Sequence, residues 1–207
     1  MKPDEVIKFV KTIYETDEFI PLHAPLFSGN EKAYLMDVID STFVSSVGQY
    51  VDKFETMITQ ITGAKYAIAT VNGTSALHSC LILAGVEKED QVITQPLTFV
   101  ATANAISYCG AEPLFVDVNR HNLGMDALKL EQFLVENAKT DGASCINKKT
   151  KQRISACVPM HTYGFCANIE QIAKICKKWK IPLIEDAAES LGTYNGQVHT
   201  GNYGLLS

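Results

Sequence analysis

Residues 181–190 read Ile-Pro-Leu-Ile-Glu-Asp-Ala-Ala-Glu-Ser, and this stretch decides how the fold is interpreted. Its apolar beginning is typical of a buried strand in a parallel sheet. The strand ends at two carboxylates, Glu185 and Asp186, and small residues follow them. Because open α/β sheets bind ligands beyond the carboxyl ends of their strands, we expect Asp186 to face a ligand-binding crevice.

The charge of Asp186 needs a partner in such a place, because a carboxylate that is partly removed from water is unfavourable unless a positive group meets it. A lysine, one of the two arginines (Arg120 and Arg153) or a ligand could supply that group. A protonated pyridine nitrogen fits, since the chemistry of pyridoxal phosphate needs a carboxylate that keeps this nitrogen protonated. The alternative is that Asp186 only caps the following turn.

Composition limits the class of protein. The 207 residues suffice for one large α/β domain, and 46% hydrophobic with 20% charged residues is the usual balance of a globular protein. A net charge of −5 without a basic patch argues against nucleic acid as a partner. The six cysteines form no C-x-x-C pair, so we expect reduced thiols and a cytoplasmic location.

The apolar runs argue against export and against membrane insertion. Charges at Lys2, Asp4, Glu5 and Lys8 interrupt the hydrophobic region that a signal peptide needs. No apolar run approaches the length that crosses a bilayer. We therefore expect no membrane partner.

The spacing of apolar residues predicts alternating helices and strands. Helices are predicted at 6–14, from 30 onward, and at 49–61, 76–84, 99–108, 126–138 and 169–179, with an extended lead-in around Ile20-Pro21-Leu22. Buried strands are predicted at 66–71, 91–94, 114–118, 154–160 and 182–185. This alternation predicts an α/β fold with a mainly parallel, doubly wound sheet flanked by helices.

Two connecting segments carry their own signals. Residues 140–152 are polar and rich in lysine, which predicts an exposed loop or hairpin. Residues 194–197 read Tyr-Asn-Gly-Gln, and we expect a two-residue hairpin in which Asn-Gly supplies two positive φ angles.

Two further motifs follow predicted strands. Asn72-Gly73-Thr74-Ser75 combines backbone N–H groups, two hydroxyls and a helix amino terminus, an arrangement that favours phosphate. The simpler alternative is that Thr74 or Ser75 only caps the helix. Phe99 ends Gln95-Pro96-Leu97-Thr98-Phe99 and could lie against a flat ring, although such a residue is more often part of the core.

His161 follows the strand predicted at 154–160 and could line the same crevice, but a structural histidine is the favoured interpretation. His161, Cys157 and Cys166 lack the spacing of zinc ligands, so we expect no metal site. A G-x-S-x-G nucleophile elbow is also absent from the sequence.

The order of these motifs resembles that of the DegT-type sugar aminotransferases, which are fold-type-I pyridoxal-phosphate enzymes. The resemblance covers nearly the whole chain and rests on Ile20-Pro21-Leu22, Gly48, residues 72–78, 95–102 and 115–118, and Glu185-Asp186-Ala187-Ala188. Asn147-Lys148-Lys149-Thr150 followed by Ile154 is similar to the branch that serves legionaminic-type nonulosonate synthesis. The resemblance implies residues 1–28 as an amino-terminal helix and lead-in, and 29–207 as an incomplete cofactor-binding large domain without the carboxyl-terminal small domain.

The resemblance also implies a cofactor site for pyridoxal 5'-phosphate. Thr74 and Ser75, with the Gly73 turn, would hold its phosphate, and Ser207 matches the family's second phosphate serine. Phe99 would stack on the ring. Asp186 would pair with the pyridine nitrogen. The position near the ring hydroxyl, where many members have Gln or His, is occupied here by Glu189.

The family's Schiff-base lysine is expected about five residues beyond Ser207, whereas the last lysine here is Lys180. Lys177, Lys178 and Lys180 precede the strand that carries Asp186 and should lie at its opposite end. We therefore expect the 207 residues alone to be inactive, because no amine can shuttle the proton between donor amino acid and cofactor.

The implied activity is transfer of an amino group from an amino acid, by family analogy glutamate, to a nucleotide-linked 4-keto-6-deoxy sugar. Such a product would serve surface-polysaccharide, lipopolysaccharide or nonulosonate biosynthesis. The alternatives are a sugar dehydratase of the same family and a non-catalytic module that binds cofactor or only dimerises. Family members are homodimers, and the apolar face of residues 6–14 is available for such packing.

Overall fold

The computed structural model describes residues 2–21 and 24–207. The chain divides into two compact units, one ending at Gly48 and the other running from Gln49 to Ser207. The predicted boundary after residue 28 stays a prediction, and Leu22 of the predicted lead-in lies outside the described residues.

The described residues of the first unit form two helices, α1 (Pro3–Ile13) and α2 (Glu31–Asp40), and both were predicted. Helix α1 begins at a proline, whose missing N–H is not needed in a first turn. The Glu5 carboxylate accepts a hydrogen bond from the backbone N–H of Lys2, 2.9 Å away. The apolar side chains Val6, Phe9, Ile13 and Tyr14 are exposed.

The second unit holds the sheet and five more helices. The helices are α3 (Gln49–Thr62), α4 (Gly73–Leu83), α5 (Val100–Tyr108), α6 (Ala127–Asn137) and α7 (Ile169–Trp179). The strands are β1 (Gln91–Thr94), β2 (Glu112–Phe115), β3 (Ala138–Asp141), β4 (Ser144–Asn147), β5 (Arg153–Val158), β6 (Tyr194–Asn195) and β7 (Val198–His199). Every predicted helix is confirmed to within a few residues. Gly63, at φ +73°, allows the left-handed backbone that ends α3.

The main sheet has the strand order β2-β1-β5-β4-β3 and is mixed. Strands β2, β1 and β5 are parallel, whereas β4 and β3 join antiparallel as a hairpin. Residues 183–186 run parallel to the end of β5 through the pairs Cys157–Leu183 and Met160–Asp186. Leu206 pairs with Ile184 on the other side. The predicted strand 182–185 therefore lies inside the sheet, and the hairpin predicted within residues 140–152 is formed by β3 and β4, residues 138–147.

Helices cover both faces of this sheet, as the predicted doubly wound architecture requires. Alternate strand residues point to opposite faces. Ile93, Cys157 and Leu183 pack with α6 and α7 in one core. Their neighbours, including Val158 and Ile184, pack with α4 and α5 in the other.

Two expectations about strands need correction. Residues 66–71 are not a buried strand: Tyr66, Ile68 and Val71 are exposed, and no strand of the described residues pairs with them. The strand predicted at 114–118 begins earlier, as β2, and is only half-buried because it is the sheet edge. Local apolar patterns do not reveal whether a partner lies beside a segment.

The predicted two-residue hairpin is present as β6 and β7, but its turn is shifted by one residue. Asn195 pairs with Val198, so the loop residues are Gly196 and Gln197, and of these only Gly196 has a positive φ, +64°. A positive φ at the first loop position alone is typical of a type II′ turn.

Within residues 2–21 and 24–207, none of the helices has the length and apolar character needed to cross a bilayer.

Candidate functional site

The backbone of Asp186 is fixed at the carboxyl end of β5. Its N–H donates to the carbonyl of Pro159 at 2.9 Å, and its carbonyl accepts from the N–H of His161 at 3.1 Å. This is the position predicted from the sequence, at the edge where open α/β sheets bind ligands.

The carboxylate of Asp186 is held by one strong hydrogen bond. The hydroxyl of Thr102 donates to Oδ2 at 2.6 Å, and the N–H of Ala188 reaches Oδ1 at 3.4 Å. Among the described residues, no lysine or arginine forms an ion pair with Asp186, and Arg153 pairs instead with Asp90. The half-buried carboxylate is therefore open to a positively charged ligand group.

Helix α5 brings Phe99 and Thr102 to the same place. Phe99 is the residue that precedes the first turn, and its side chain is 67% exposed, so it is not part of the core. Thr102 is fully buried three residues later, and its hydroxyl lies 2.8 Å from that of Thr98. The role of Thr102 was not predicted, because a threonine in an apolar helix has no distinguishing pattern.

The amide of Gln95 connects the loops around this edge, which the sequence also did not reveal. Its fully buried Oε1 accepts from the N–H groups of Met125 (2.8 Å) and Met160 (3.2 Å). Its Nε2 donates to the carbonyl of Leu97 and to the hydroxyl of Thr162, both at 2.9 Å. The loop that leads to Phe99 is thereby joined to the loop that follows β5.

The turn of residues 72–75 begins α4. The side chain of Asn72 accepts from the N–H of Ser75 at 2.8 Å, so Asn72 is the capping residue and neither Thr74 nor Ser75 is needed for that role. Gly73 is exposed, and Thr74 and Ser75 are half-buried. Their hydroxyls lie at the positive end of an eleven-residue helix, which suits an anion.

Ser207 and Ala187, the residue that follows Asp186, both lie next to Gly201. A Cβ placed on Gly201 would come within 2.9 Å of Ser207 Oγ and 3.6 Å of the Ala187 Cβ. The carbonyl of Ser207 accepts a weak hydrogen bond from Cys80 of α4 at 3.9 Å. Ser207 therefore connects the strand that carries Asp186 with the helix that begins at Gly73.

Glu189 is exposed, and its carboxylate accepts from the backbone N–H of Tyr163 at 2.6 Å. Tyr163 and Gly164 both have positive φ angles in the short 3-10 turn after β5. Glu189 thus stabilises that turn, and its predicted place near a ring hydroxyl stays a prediction.

The predicted site residues are connected to different extents. Asp186 is joined to the helix that follows Phe99, and Ser207 and Ala187 both lie next to Gly201. Within the described part of the chain, the Gly73 turn is connected to them through later residues of its helix α4: Cys80 contacts Ser207, and α4 packs in the same core as Ile184. The roles of Gly73, Thr74, Ser75, Phe99, Asp186, Glu189 and Ser207 in binding a cofactor stay predictions.

Glu185, next to Asp186, is a fully buried carboxylate that the sequence did not assign to a role. Burial by itself would raise the pKa of Glu185, but hydrogen bonds from His161 and from the backbone of Gly201, Gly204 and Tyr203 outweigh it and lower the pKa. His161 is fully buried and fully bonded, as expected of a structural histidine. Over residues 2–21 and 24–207, no cluster of three or more histidine, cysteine or acidic side chains is arranged to hold a metal ion.

Comparison with known proteins agrees with this architecture. A GDP-perosamine synthase from Vibrio cholerae is 38% identical over 188 residues, which cover 91% of this chain and 47% of that protein. The putative pyridoxal phosphate-dependent aminotransferase EpsN from Bacillus subtilis is 36% identical over 185 residues, covering 89% of this chain and 45% of that protein. The chain spans about half the length of these relatives.

A solved aminotransferase from Psychrobacter cryohalolentis matches the structure with a TM-score of 0.75 at 26% identity, covering 90% of this chain and 43% of that chain. The match confirms the predicted fold class. Residues 26–207 also match the family model described as DegT/DnrJ/EryC1/StrS aminotransferases. With all but its first 25 residues matched in this way, the chain belongs to the DegT/DnrJ/EryC1/StrS aminotransferase family.

Proposed function

We propose that this chain is the cofactor-binding part of a pyridoxal 5'-phosphate-dependent aminotransferase that acts on a nucleotide-linked sugar. The observation that carries the proposal is Asp186: a strand-end carboxylate, oriented by a buried hydroxyl at 2.6 Å, without a cationic partner among the described residues. Family membership and the names of the two relatives support the same activity.

The residue types predicted for the site suit the parts of this cofactor. The Asp186 carboxylate keeps the pyridine nitrogen protonated, and the exposed ring of Phe99 stacks on the cofactor ring. The Gly73 turn, the hydroxyls of Thr74 and Ser75 and the hydroxyl of Ser207 would bind the phosphate. Glu189 would lie on the side of the ring hydroxyl. The bound cofactor supplies an electron sink for moving an amino group.

For the substrates, the proposal is an amino acid donor, glutamate, and a nucleotide-linked 4-keto-6-deoxy sugar as acceptor. The name of the Vibrio cholerae relative supports a sugar nucleotide. The product would enter surface-polysaccharide synthesis, such as that of lipopolysaccharide or a nonulosonate. We also propose a cytoplasmic homodimer, for which the exposed apolar face of α1 offers a surface.

Amino-group transfer also requires an amine that moves a proton near the cofactor. The lysines closest in sequence to Asp186 are engaged elsewhere: Lys178 pairs with Glu131 of α6, and Lys180 donates to the carbonyl of Gly142 in the β3–β4 hairpin. The 207 residues by themselves are therefore expected to bind the cofactor without turnover.

The test is incubation of the complete protein with pyridoxal 5'-phosphate, glutamate and a nucleotide-linked 4-keto-6-deoxy sugar, followed by mass spectrometry. We expect an amino sugar nucleotide and an equal amount of 2-oxoglutarate. A sugar that has lost water without gaining nitrogen would replace the proposal by the dehydratase alternative, and failure to bind the cofactor would refute the proposal. Under the same conditions the 207-residue chain should release no 2-oxoglutarate.

A further inference from the structure

The carboxylate of Glu185 receives four hydrogen bonds and has no contact with water. Oε1 accepts from the backbone N–H groups of Tyr203 (2.6 Å) and Gly204 (2.7 Å). Oε2 accepts from the N–H of Gly201 (2.9 Å) and from Nε2 of His161 (3.0 Å). Both oxygens are thus occupied by donors, and the side chain is fully buried.

The hydrogen bonds of His161, one of the four donors to Glu185, fix the tautomer of its neutral ring. Its Nδ1 accepts a hydrogen bond from the backbone N–H of Ala167 at 3.2 Å. A nitrogen that accepts carries no proton, so the proton of the neutral ring is on Nε2 and points at Glu185. The histidine therefore acts as a fixed donor within the protein interior.

These bonds join three segments, and two of them carry candidate cofactor residues. His161 follows β5, and Glu185 precedes Asp186 in the neighbouring strand. Residues 201–204 lead directly to Ser207, which lies against Gly201. Three of the four bonds to Glu185 come from residues 201–204, and backbone bonds between Leu205 and Leu183 and between Leu206 and Glu185 hold the next two residues beside the same strand. The position of Ser207 relative to Asp186 therefore depends in part on the Glu185 side chain.

We propose that Glu185 and His161 are positioning residues that hold Ser207 at the cofactor phosphate. This inference rests on the proposed function, because it assumes that Ser207 binds that phosphate. Both side chains are fully buried. Glu185 acts on the backbone of residues 201–204 directly, and His161 acts through Glu185.

An ionised carboxylate can accept hydrogen bonds on both of its oxygens, as this geometry requires, whereas a side-chain amide cannot. In Glu185→Gln, the amide nitrogen must face either the pair of N–H groups from Tyr203 and Gly204 or the donors Gly201 and His161. Either orientation places a donor against two donors, so residues 201–204 move away from one end of the side chain. The substitution thus shifts Ser207 while it changes almost no volume.

The test compares the binding of pyridoxal 5'-phosphate with that of pyridoxal, which lacks the phosphate, to the complete apoprotein by fluorescence titration. In Glu185→Gln we expect the affinity for pyridoxal 5'-phosphate to fall about tenfold, the loss of one hydrogen bond to a charged group. Affinity for pyridoxal should stay within about twofold, since the ring contacts of Phe99 and Asp186 remain. His161→Leu removes one of the four donors and should give a smaller loss of the same kind, about threefold.

Asp90→Asn is the matched control. Asp90 is also a buried carboxylate, and it binds Arg153 at the opposite edge of the sheet, before β1. This variant should lose stability and keep the preference for the phosphorylated ligand. Equal losses for both ligands in Glu185→Gln, or an unchanged preference in Glu185→Gln and His161→Leu, would overturn the inference. If the unsubstituted protein binds no pyridoxal 5'-phosphate, the proposed function itself fails.

Discussion

Substitution of Thr102 by valine removes one hydroxyl from the site and leaves the shape of the side chain unchanged. In the structure that hydroxyl is fully buried and donates to Asp186 Oδ2 at 2.6 Å. It also lies 2.8 Å from the hydroxyl of Thr98. The variant therefore removes the main restraint on the orientation of the Asp186 carboxylate.

The size of the effect follows from the partners. A hydrogen bond to a charged group contributes about 1.5–3 kcal/mol. Because Asp186 is only half-buried, water replaces part of the lost bond, so we expect the lower end, about 1.5 kcal/mol. That free energy corresponds to about a tenfold weaker binding of the cofactor. Its effect on the free energy of unfolding should be similar or smaller.

The assay is a titration of the complete apoprotein with pyridoxal 5'-phosphate, together with urea unfolding. Thr98→Val is the matched control: it removes the hydroxyl contact with Thr102 and the weak bond to the Met160 sulfur at 3.0 Å, and leaves the bond to Asp186. The control should weaken cofactor binding by less than about threefold, as expected for a bond between neutral groups. Equal effects of the two variants on binding would refute the reasoning that Thr102 orients Asp186.

Three further predictions concern the surroundings of the site. Asn72→Ala should lower the free energy of unfolding by about 1 kcal/mol in urea titrations, because the first turn of α4 loses its cap. Asn72→Asp should keep the free energy of unfolding of the unsubstituted protein. An unchanged free energy of unfolding in the alanine variant would contradict the capping role. Gly201→Ala should weaken both stability and cofactor binding, since the new methyl group would lie 2.9 Å from Ser207 Oγ at a φ of +92°. Its control is Gly196→Ala, which has a positive φ and open space around it; it should affect stability alone, and equal binding losses would argue against the contact with Ser207. Folding lowers the pKa of Glu185 from its ordinary value of 4.5, so the unfolded chain takes up the proton first as the pH falls. The free energy of unfolding should therefore decrease as the pH drops below 4.5. If the free energy of unfolding of Glu185→Gln decreases as much over this pH range as that of the unsubstituted protein, the prediction is contradicted.

The sequence predicted the helices and the central strands well because both signals are local. Apolar spacing marked α3 and α7, and the run before Asp186 marked a strand whose neighbours lie on both sides. Residues 66–71 have the same apolar character and form no strand, since a segment becomes a strand only where a partner accepts its hydrogen bonds. That partner is not encoded within the segment.

The position of Asp186 was predictable from the end of its strand, whereas the residues that orient it were not. Thr102 is an ordinary helical residue until the fold places its hydroxyl against a carboxylate 84 positions away. Gln95 and Glu185 are similar cases, because their partners are backbone groups of distant loops. Such contacts depend on tertiary geometry and leave no pattern along the chain.

The central claim is that Asp186 holds the ring nitrogen of pyridoxal 5'-phosphate in its protonated form. It is tested most directly by nuclear magnetic resonance of the complete protein loaded with cofactor labelled with ¹⁵N at that nitrogen. We predict a protonated nitrogen at neutral pH in the unsubstituted protein and an unprotonated one in Asp186→Asn. The same protonation state in both proteins would contradict the account.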